Sequence, residues 1–232
     1  MGRVDRPGVQ GIRLLTARAG LESFVRTHAA VGSPSLCPEI RLHLATLLIP
    51  VWEAEQMRRA EPYVAPPYWA FCWPGGQALA RHVLDRSALV RGKRVLDFAA
   101  GAGLAGIAAA TCGAAEVLAA DTDPVAAAAI AINAALNGVP VTVTRDDLTA
   151  TAECGWDVVL AGDVCYERAM TAAVLPWLRR MAGQGALVLM ADPGRNYLPA
   201  TGLDALAAYN VPTSLELEAK PMRRTTIYRL EP

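Results

Sequence analysis

A glycine turn and the aspartates around it are the residues whose types and spacing could do chemistry in this chain. Gly101, Gly103 and Gly106 stand in a GxGxxG frame within VLDFAAGAGLAG, directly after an apolar run that reads as a strand. Such a turn lets a ligand approach the backbone closely and points a helix N-terminus toward it, so an adenosine-bearing ligand is the first expectation. Asp121 ends LAAD, where a carboxylate can accept bonds from both ribose hydroxyls, a feature that dinucleotides and other adenosine ligands share. Asp97 separates them. Its carboxylate, beside the glycine turn, would repel a pyrophosphate and suit a ligand with a cationic amino group, the competing reading being a surface or capping carboxylate. S-adenosylmethionine carries an ammonium and a sulfonium and no phosphate. Asp97-x-x-x-Gly101-x-Gly103 therefore predicts this cofactor over NAD.

Further along, Asp147 in RDDL lies where it could accept a bond from an adenine amino group, with Asp146 as the alternative and a turn cap as the structural reading of either. Trp73 could close over a sulfonium by apolar and cation-π contact, or serve packing alone. Methyl transfer from a sulfonium is an in-line displacement, so the site must hold a neutral nucleophile close to the methyl carbon and exclude water. DVVLAGDVCYE places Asp163 and Tyr166 just beyond a strand end. A carboxylate there can orient an amine and stabilise the charge it gains, while the tyrosine supplies an aromatic wall and a hydroxyl; a helix cap is the structural reading of Asp163.

These residues need a scaffold, and the text around them supplies one. Strands are predicted over 94–98, 116–120, 141–144, 156–161 and 186–191, alternating with helices over 77–84, 104–111, 125–136 and 171–181. A helix near 203–209 is followed by SLELEA and TTIYRL, read as two neighbouring strands. The alternation predicts an α/β fold, a Rossmann-like doubly wound sheet, mostly parallel, with an antiparallel C-terminal edge. Ahead of it, residues 11 to about 60 read as helical, with Pro38-Glu39-Ile40 opening one helix; Glu39 is either that helix's first-turn carboxylate or a wall of the substrate entrance. EPYVAPPYWAFCWPGG is irregular, a core edge or a pocket wall. The division expected is 1–76 as helical extension and aromatic loop, and 77–232 as the cofactor-binding domain.

Composition narrows the functional classes. With 232 residues, 53% of them hydrophobic and 19% charged, and a net charge of zero, the chain reads as globular, without the basic surplus that phosphate grip requires. No nucleic acid is expected. The five cysteines are scattered and lack CxxC or histidine partners, which predicts neither a disulfide frame nor a zinc site and suits the cytoplasm. No apolar run reaches the length of a membrane span. Cys165 reads as a packing residue, and His28, His43 and His82 as ordinary helix residues. Arg195 in ADPGRNYLP either meets an acidic patch on a partner or anchors its own loop. A monomer is the default.

VLDFAAGAG, AADTDP and above all Asp163-x-x-Tyr166 resemble the seven-strand protein lysine methyltransferases that bear a DxxY or DxxF motif. Within that family, PPYWAFCWPGGQALAR, GDVCYE and ADPGRNYLP resemble the branch that methylates lysines on the beta subunit of electron transfer flavoprotein, over residues 22 to 232. The resemblance implies S-adenosylmethionine as cofactor, lysines near a partner-recognition loop as acceptors, Trp73, Asp97, Gly101, Gly103 and Asp121 toward the cofactor, and Asp163 and Tyr166 toward the lysine. Ala99 and Ala100 depart from the family's glycine habit, and Cys165 stands at a position expected to be aromatic. A methyltransferase acting on another protein, such as a ribosomal protein, or on a small amine is the alternative within the class. An NAD-dependent oxidoreductase is the alternative outside it.

Overall fold

In a computed structural model, which describes residues 9–61, 64–152 and 155–232, with side chains from residue 18 onward, the alternation resolves into one seven-stranded sheet. The elements run α1 (Val9–His28), β1 (Ala30–Gly32), β2 (Leu42–Leu44), α2 (Leu48–Arg59), α3 (Pro74–Asp85), β3 (Arg94–Phe98), α4 (Leu104–Thr111), β4 (Glu116–Ala120) and α5 (Pro124–Leu136). They continue with β5 (Thr142–Thr144), β6 (Val158–Gly162), α6 (Arg168–Gly183), β7 (Leu187–Asp192), β8 (Leu203–Pro212), α7 (Leu215–Glu218) and β9 (Met222–Leu230).

The strand order is β5-β4-β3-β6-β7-β9-β8, with β9 antiparallel to both its neighbours and the other pairings parallel. Right-handed crossovers put α4 and α5 on one face and α6 on the other. The order reverses between β3 and β6, which lie side by side with Phe98 opposite Ala161. That is the switch point of a doubly wound sheet, where ligands sit beyond the carboxyl ends of the strands. β3 and β6 are buried on both faces, as their continuous apolar runs require. One core packs α3 and α4 on the sheet, a second packs Phe98 and Trp177 beneath α6, and a third joins Val25, Trp69 and the α5 residues Val125 and Ile132.

Three expectations fail, each for a visible reason. The stretch opened by Pro38-Glu39-Ile40 is not helical: Ile40, Leu42 and Leu44 alternate, Ile40 and Leu42 are buried, and β2 pairs with β1 across them. Glu39 starts no helix and instead ion-pairs with Arg81 on the surface. Residues 203–209 belong to β8 rather than a helix, because β9 supplies a long antiparallel partner that overrides the alanine-rich propensity. SLELEA is a single helical turn, α7, capped by the Ser214 hydroxyl accepting from the Leu217 amide. The side chains of Leu14 and Leu15, together with Tyr63 and Cys154, lie outside the described residues.

Gly162 and Gly75 let α3 cross the end of β6 at backbone contact. A Cβ on Gly162 would lie 2.8 Å from the Gly76 amide nitrogen, and one on Gly75 would lie 2.6 Å from both the Ala191 carbonyl and the Asp163 nitrogen. Since the obstacles are backbone, the crossing must open to admit a methyl. Gly162→Ala should cost about 1–3 kcal/mol, read as a lowered melting temperature.

Candidate active site

The segment after β3 turns through two left-handed residues, Ala99 (φ 53°) and Gly101 (φ 54°), before Gly103 (φ 81°) starts α4. Ala99 thus takes up a conformation that glycine adopts without cost. Asp97, 4% exposed at the end of β3, accepts the Gly106 amide at 2.7 Å. A Cβ on Gly106 would stand 3.0 Å from that carboxylate, so the third glycine of the frame serves helix-to-strand contact. Burial pushes the Asp97 carboxyl up to about 7, against the Gly106 bond, which lowers it, and with a smaller upward push from Asp121. Asp121 is held by the Gly101 amide at 2.9 Å and the Asp123 amide at 3.0 Å, and burial raises it too. Gly103 does not line the cavity. Its missing side chain makes room for Ile130, whose Cγ2 would lie 3.0 Å from a Cβ there.

A cavity of about 670 Å³ opens beyond β3 and β6, walled by Asp97, Gly101, Asp121, Asp163, Tyr166 and the aromatic loop. The loop supplies Tyr68 and Trp73, whose rings are 5.7 Å apart, with the Trp73 indole donating to the Tyr68 carbonyl at 3.0 Å. Tyr166 completes the wall, its ring 5.3 Å from that of Tyr68. Burial pushes the Tyr166 hydroxyl well above its ordinary value, so it stays protonated at neutral pH. Asp146 and Asp147 both reach the rim. Asp147 accepts from the Thr149 amide at 3.0 Å and hydroxyl at 2.6 Å, which lowers its carboxyl, while Asp146 accepts from the Thr144 hydroxyl at 2.7 Å.

Asp163 follows β6 in a left-handed conformation (φ 54°), its own amide bonded to the Ala191 carbonyl at 3.0 Å. The α3 N-cap, Trp73, offers no side-chain acceptor, and Asp163 Oδ2 takes the Gly75 amide instead. Asp163 does cap a helix end, but that of α3; the N-cap of α6 is Glu167. Its other oxygen pairs with Arg195 at 3.0 Å. Burial raises the Asp163 carboxyl to about 6, with Arg195 pulling the other way. Arg195 thus anchors its own loop.

The acidic roof of the cavity escaped sequence reasoning. Glu55, 1% exposed in α2, holds Arg58 at 2.7 Å and Arg59 at 3.3 Å, and Arg59 reaches Asp123 at 2.9 Å, tying α2 to the start of α5. Its sequence setting, VWEAEQMRRA, holds no local signal of that burial. His43 is a strand residue, its Nδ1 2.9 Å from Asn133 Oδ1, and Asn133 in turn donates to the Ala102 carbonyl in the glycine turn. His82 lies 3.1 Å from the Tyr209 hydroxyl. Cys165 is buried and free, and burial raises its thiol to about 12. Among the described residues no cluster of His, Cys, Asp and Glu could hold a metal ion, and no helix is long and apolar enough to cross a membrane.

Against known proteins, residues 78–164 match the family model Ribosomal protein L11 methyltransferase (PrmA). The electron transfer flavoprotein beta subunit lysine methyltransferase of Xenopus laevis is 38% identical over 216 residues, covering 90% of this chain and 87% of that protein. Its Homo sapiens counterpart is 34% identical over 220 residues, covering 91% and 82%. This chain belongs to the electron transfer flavoprotein beta subunit lysine methyltransferase family. Among solved structures, SMU.776, a methyltransferase candidate complexed with SAH, superposes at a TM-score of 0.50 with 14% identity, covering 70% of this chain and 50% of that one. A likeness at that identity bears on the fold alone. The chain is thus a family member whose seven-stranded sheet is that of Rossmann-like methyltransferases.

The Asp97 carboxyl has a testable signature in the free protein. Its folded pKa lies above its unfolded one, so the cost of burying the anion is absent at low pH, grows from about 3.8 upward and is complete above about 7. Asp97→Asn should therefore raise the melting temperature at pH 8 by several degrees, about 2 kcal/mol or more. The gain should shrink steadily as the pH is lowered to 5; an equal gain at both pH values would remove charge as its cause.

Proposed function

We propose that this chain methylates lysine side chains of the electron transfer flavoprotein beta subunit, using S-adenosylmethionine. The observation that carries the reading is the meeting of Asp97 and Asp163 at the ends of neighbouring strands, in one cavity walled by Tyr68, Trp73 and Tyr166. The family relatives carry that activity in their names.

The cavity fits the cofactor. Among the described residues Asp97 has the Gly106 amide and the like-charged Asp121 as its named neighbours and no cation, so a cationic ligand relieves a buried anion where a pyrophosphate would compound it. Asp97 would hold the ammonium, Asp121 the ribose hydroxyls and Asp147 the adenine amino group, with Asp146 beside it. Gly101 leaves the backbone open to the ligand, Gly103 shapes the turn, and Trp73 offers a ring face to the sulfonium. When bound, S-adenosylmethionine supplies an electrophilic methyl carbon and leaves as S-adenosylhomocysteine.

On the acceptor side Asp163 orients the amine and offsets the positive charge it gains on alkylation, and Tyr166 and Tyr68 confine it and keep water out. The carboxylate form that does this prevails above about pH 6. No metal enters the reading. The division at 76/77 goes with it: the N-terminal region roofs the cavity, and 77–232 forms the methyltransferase domain. We take the protein as cytoplasmic, in keeping with the four described cysteines being free thiols, and as a monomer whose cavity is walled by one chain.

Incubating the protein with labelled S-adenosylmethionine and purified electron transfer flavoprotein should label the beta subunit on lysine. Label on a ribosomal protein or a small amine instead would move the acceptor, and calorimetric binding of NAD without S-adenosylhomocysteine would overturn the class. Asp163→Asn, which keeps an acceptor for the Gly75 amide, should lower kcat about a hundredfold or more while S-adenosylhomocysteine affinity changes little. Asp163→Ala should lose α3's cap as well, about 1 kcal/mol of stability.

A further inference from the structure

Arg195 is held in an unusual way. Its Nε is buried without a partner, so the guanidinium is placed by its two terminal nitrogens. Both go to Glu218: NH2 lies 2.6 Å from Oε1 and NH1 3.2 Å from Oε2. The same NH2 also reaches Asp163 Oδ1 at 3.0 Å, so one donor is divided between two carboxylates. Glu218 is 2% exposed and carries a second cation, Arg223, at 2.8 Å. A chain of alternating charge results, Asp163, Arg195, Glu218, Arg223, running from the cavity wall to the start of β9.

The position of Glu218 is built locally. α7 sits in the connection between β8 and β9, which is closed by the Thr213 amide on the Pro221 carbonyl at 3.0 Å and the Thr213 hydroxyl on the Lys220 carbonyl at 2.6 Å. Ser214 caps the turn and Ala219 ends it in a left-handed conformation (φ 52°). The backbone of Arg195 is fixed separately, its amide donating to Asp192 Oδ1 at 2.6 Å.

We propose that Glu218 is a positioning residue for the acceptor amine: by holding Arg195 in a bidentate grip, it limits the claim of that guanidinium on Asp163 and leaves the carboxylate able to receive a cationic group. The inference rests on the reading of Asp163 given above. Asp163 with Arg195 is neutral and Glu218 with Arg223 is neutral, so it is Asp192, the further carboxylate acting on Asp163, that makes the group a net anion, to which a lysine is drawn. The groups facing Asp163 are Arg195 from the loop after β7, Asp192 at the end of β7, the Gly75 amide of α3 and Cys165 from its own segment, with Glu218 and Arg223 acting through Arg195. Burial raises the Asp163 carboxyl and Arg195 opposes it, so any change in how Arg195 is shared moves that balance.

The test is a carboxyl carbon-13 NMR titration of the cofactor-free protein, with the Asp163 signal assigned by its loss in Asp163→Asn. In the parent its midpoint should lie near 6. Glu218→Gln, which keeps the shape and removes the charge, should move the midpoint down, and Arg223→Gln should move it up, each by about half a unit to one unit. A merely structural role for Glu218 would not give shifts of opposite sign. With the protein acceptor, Glu218→Gln should raise KM by up to about tenfold, the factor one such unit represents, with kcat moving less. Unmoved midpoints in both variants, or shifts of the same sign, would overturn the inference. Opposed shifts in a protein that methylates no amine would instead leave the coupling standing and remove the function assigned to Asp163.

Discussion

The carboxylate of Asp163 closes the contact on which the site depends. α3 meets the end of β6 across Gly75 and Gly162, too close for a side chain on either, and the helix arrives with its first amides facing a strand end. Those amides need an acceptor, and Trp73 provides none, so the acid beyond β6 fills the role of a cap from another element. The left-handed backbone of Asp163 costs about 1 kcal/mol or more and persists because the Ala191 carbonyl and the Gly75 amide fix the residue from both sides. The acid that faces the cavity is therefore placed by the core, with little freedom to drift.

Charge follows from the same burial. Asp97, Asp121 and Asp163 are all raised by desolvation, and among the described residues only Asp163 of the three has a cation paired with it. In the free protein these carboxylates are unfavourable as anions. On the proposed reading a sulfonium-bearing ligand at Asp97 and an amine that becomes cationic at Asp163 would offset that cost. The fold holds this polarity before anything binds, beside the aromatic wall of Tyr68, Trp73 and Tyr166.

What could be read from the text divides along the distance between partners. β3, α4 and β4 match their expected bounds because an apolar strand, a glycine turn and an alanine-rich helix are each local signals. Asp97, Gly101 and Asp121 were legible for the same reason, their contacts spanning 9 and 20 residues. The frame alone does not tell that Gly103 packs against Ile130 while Gly101 lines the cavity. β8 was read as a helix because alanine and leucine favour one until β9 offers a partner, and β2 because two buried positions in alternation are too few to outweigh a proline-glutamate start. The role of Glu218 had no local trace, since Arg195 lies 23 residues away and Asp163 further still.

That division has a functional counterpart. The L11 methyltransferase model matches residues 78–164, a span that holds α3 from residue 78 onward, the glycine turn, Asp121 and Asp163 and stops short of Arg195 and Glu218. The contacts of the glycine turn, Asp97 with Gly106 and Asp121 with Gly101, are of short separation and lie whole within that segment, while Tyr68 and Trp73 lie ahead of it. The surroundings of Asp163 on the acceptor side come instead from the loop after β7 and the β8–β9 connection, elements outside that segment. A fold that keeps its methyl donor while changing its acceptor can vary these later elements without disturbing the turn that holds the ligand. Arg195 and Glu218 bear on Asp163 from elements remote in sequence from the glycine turn, so substitutions there can alter the setting of that acid while the contacts of Asp97 and Gly101 stay as they are.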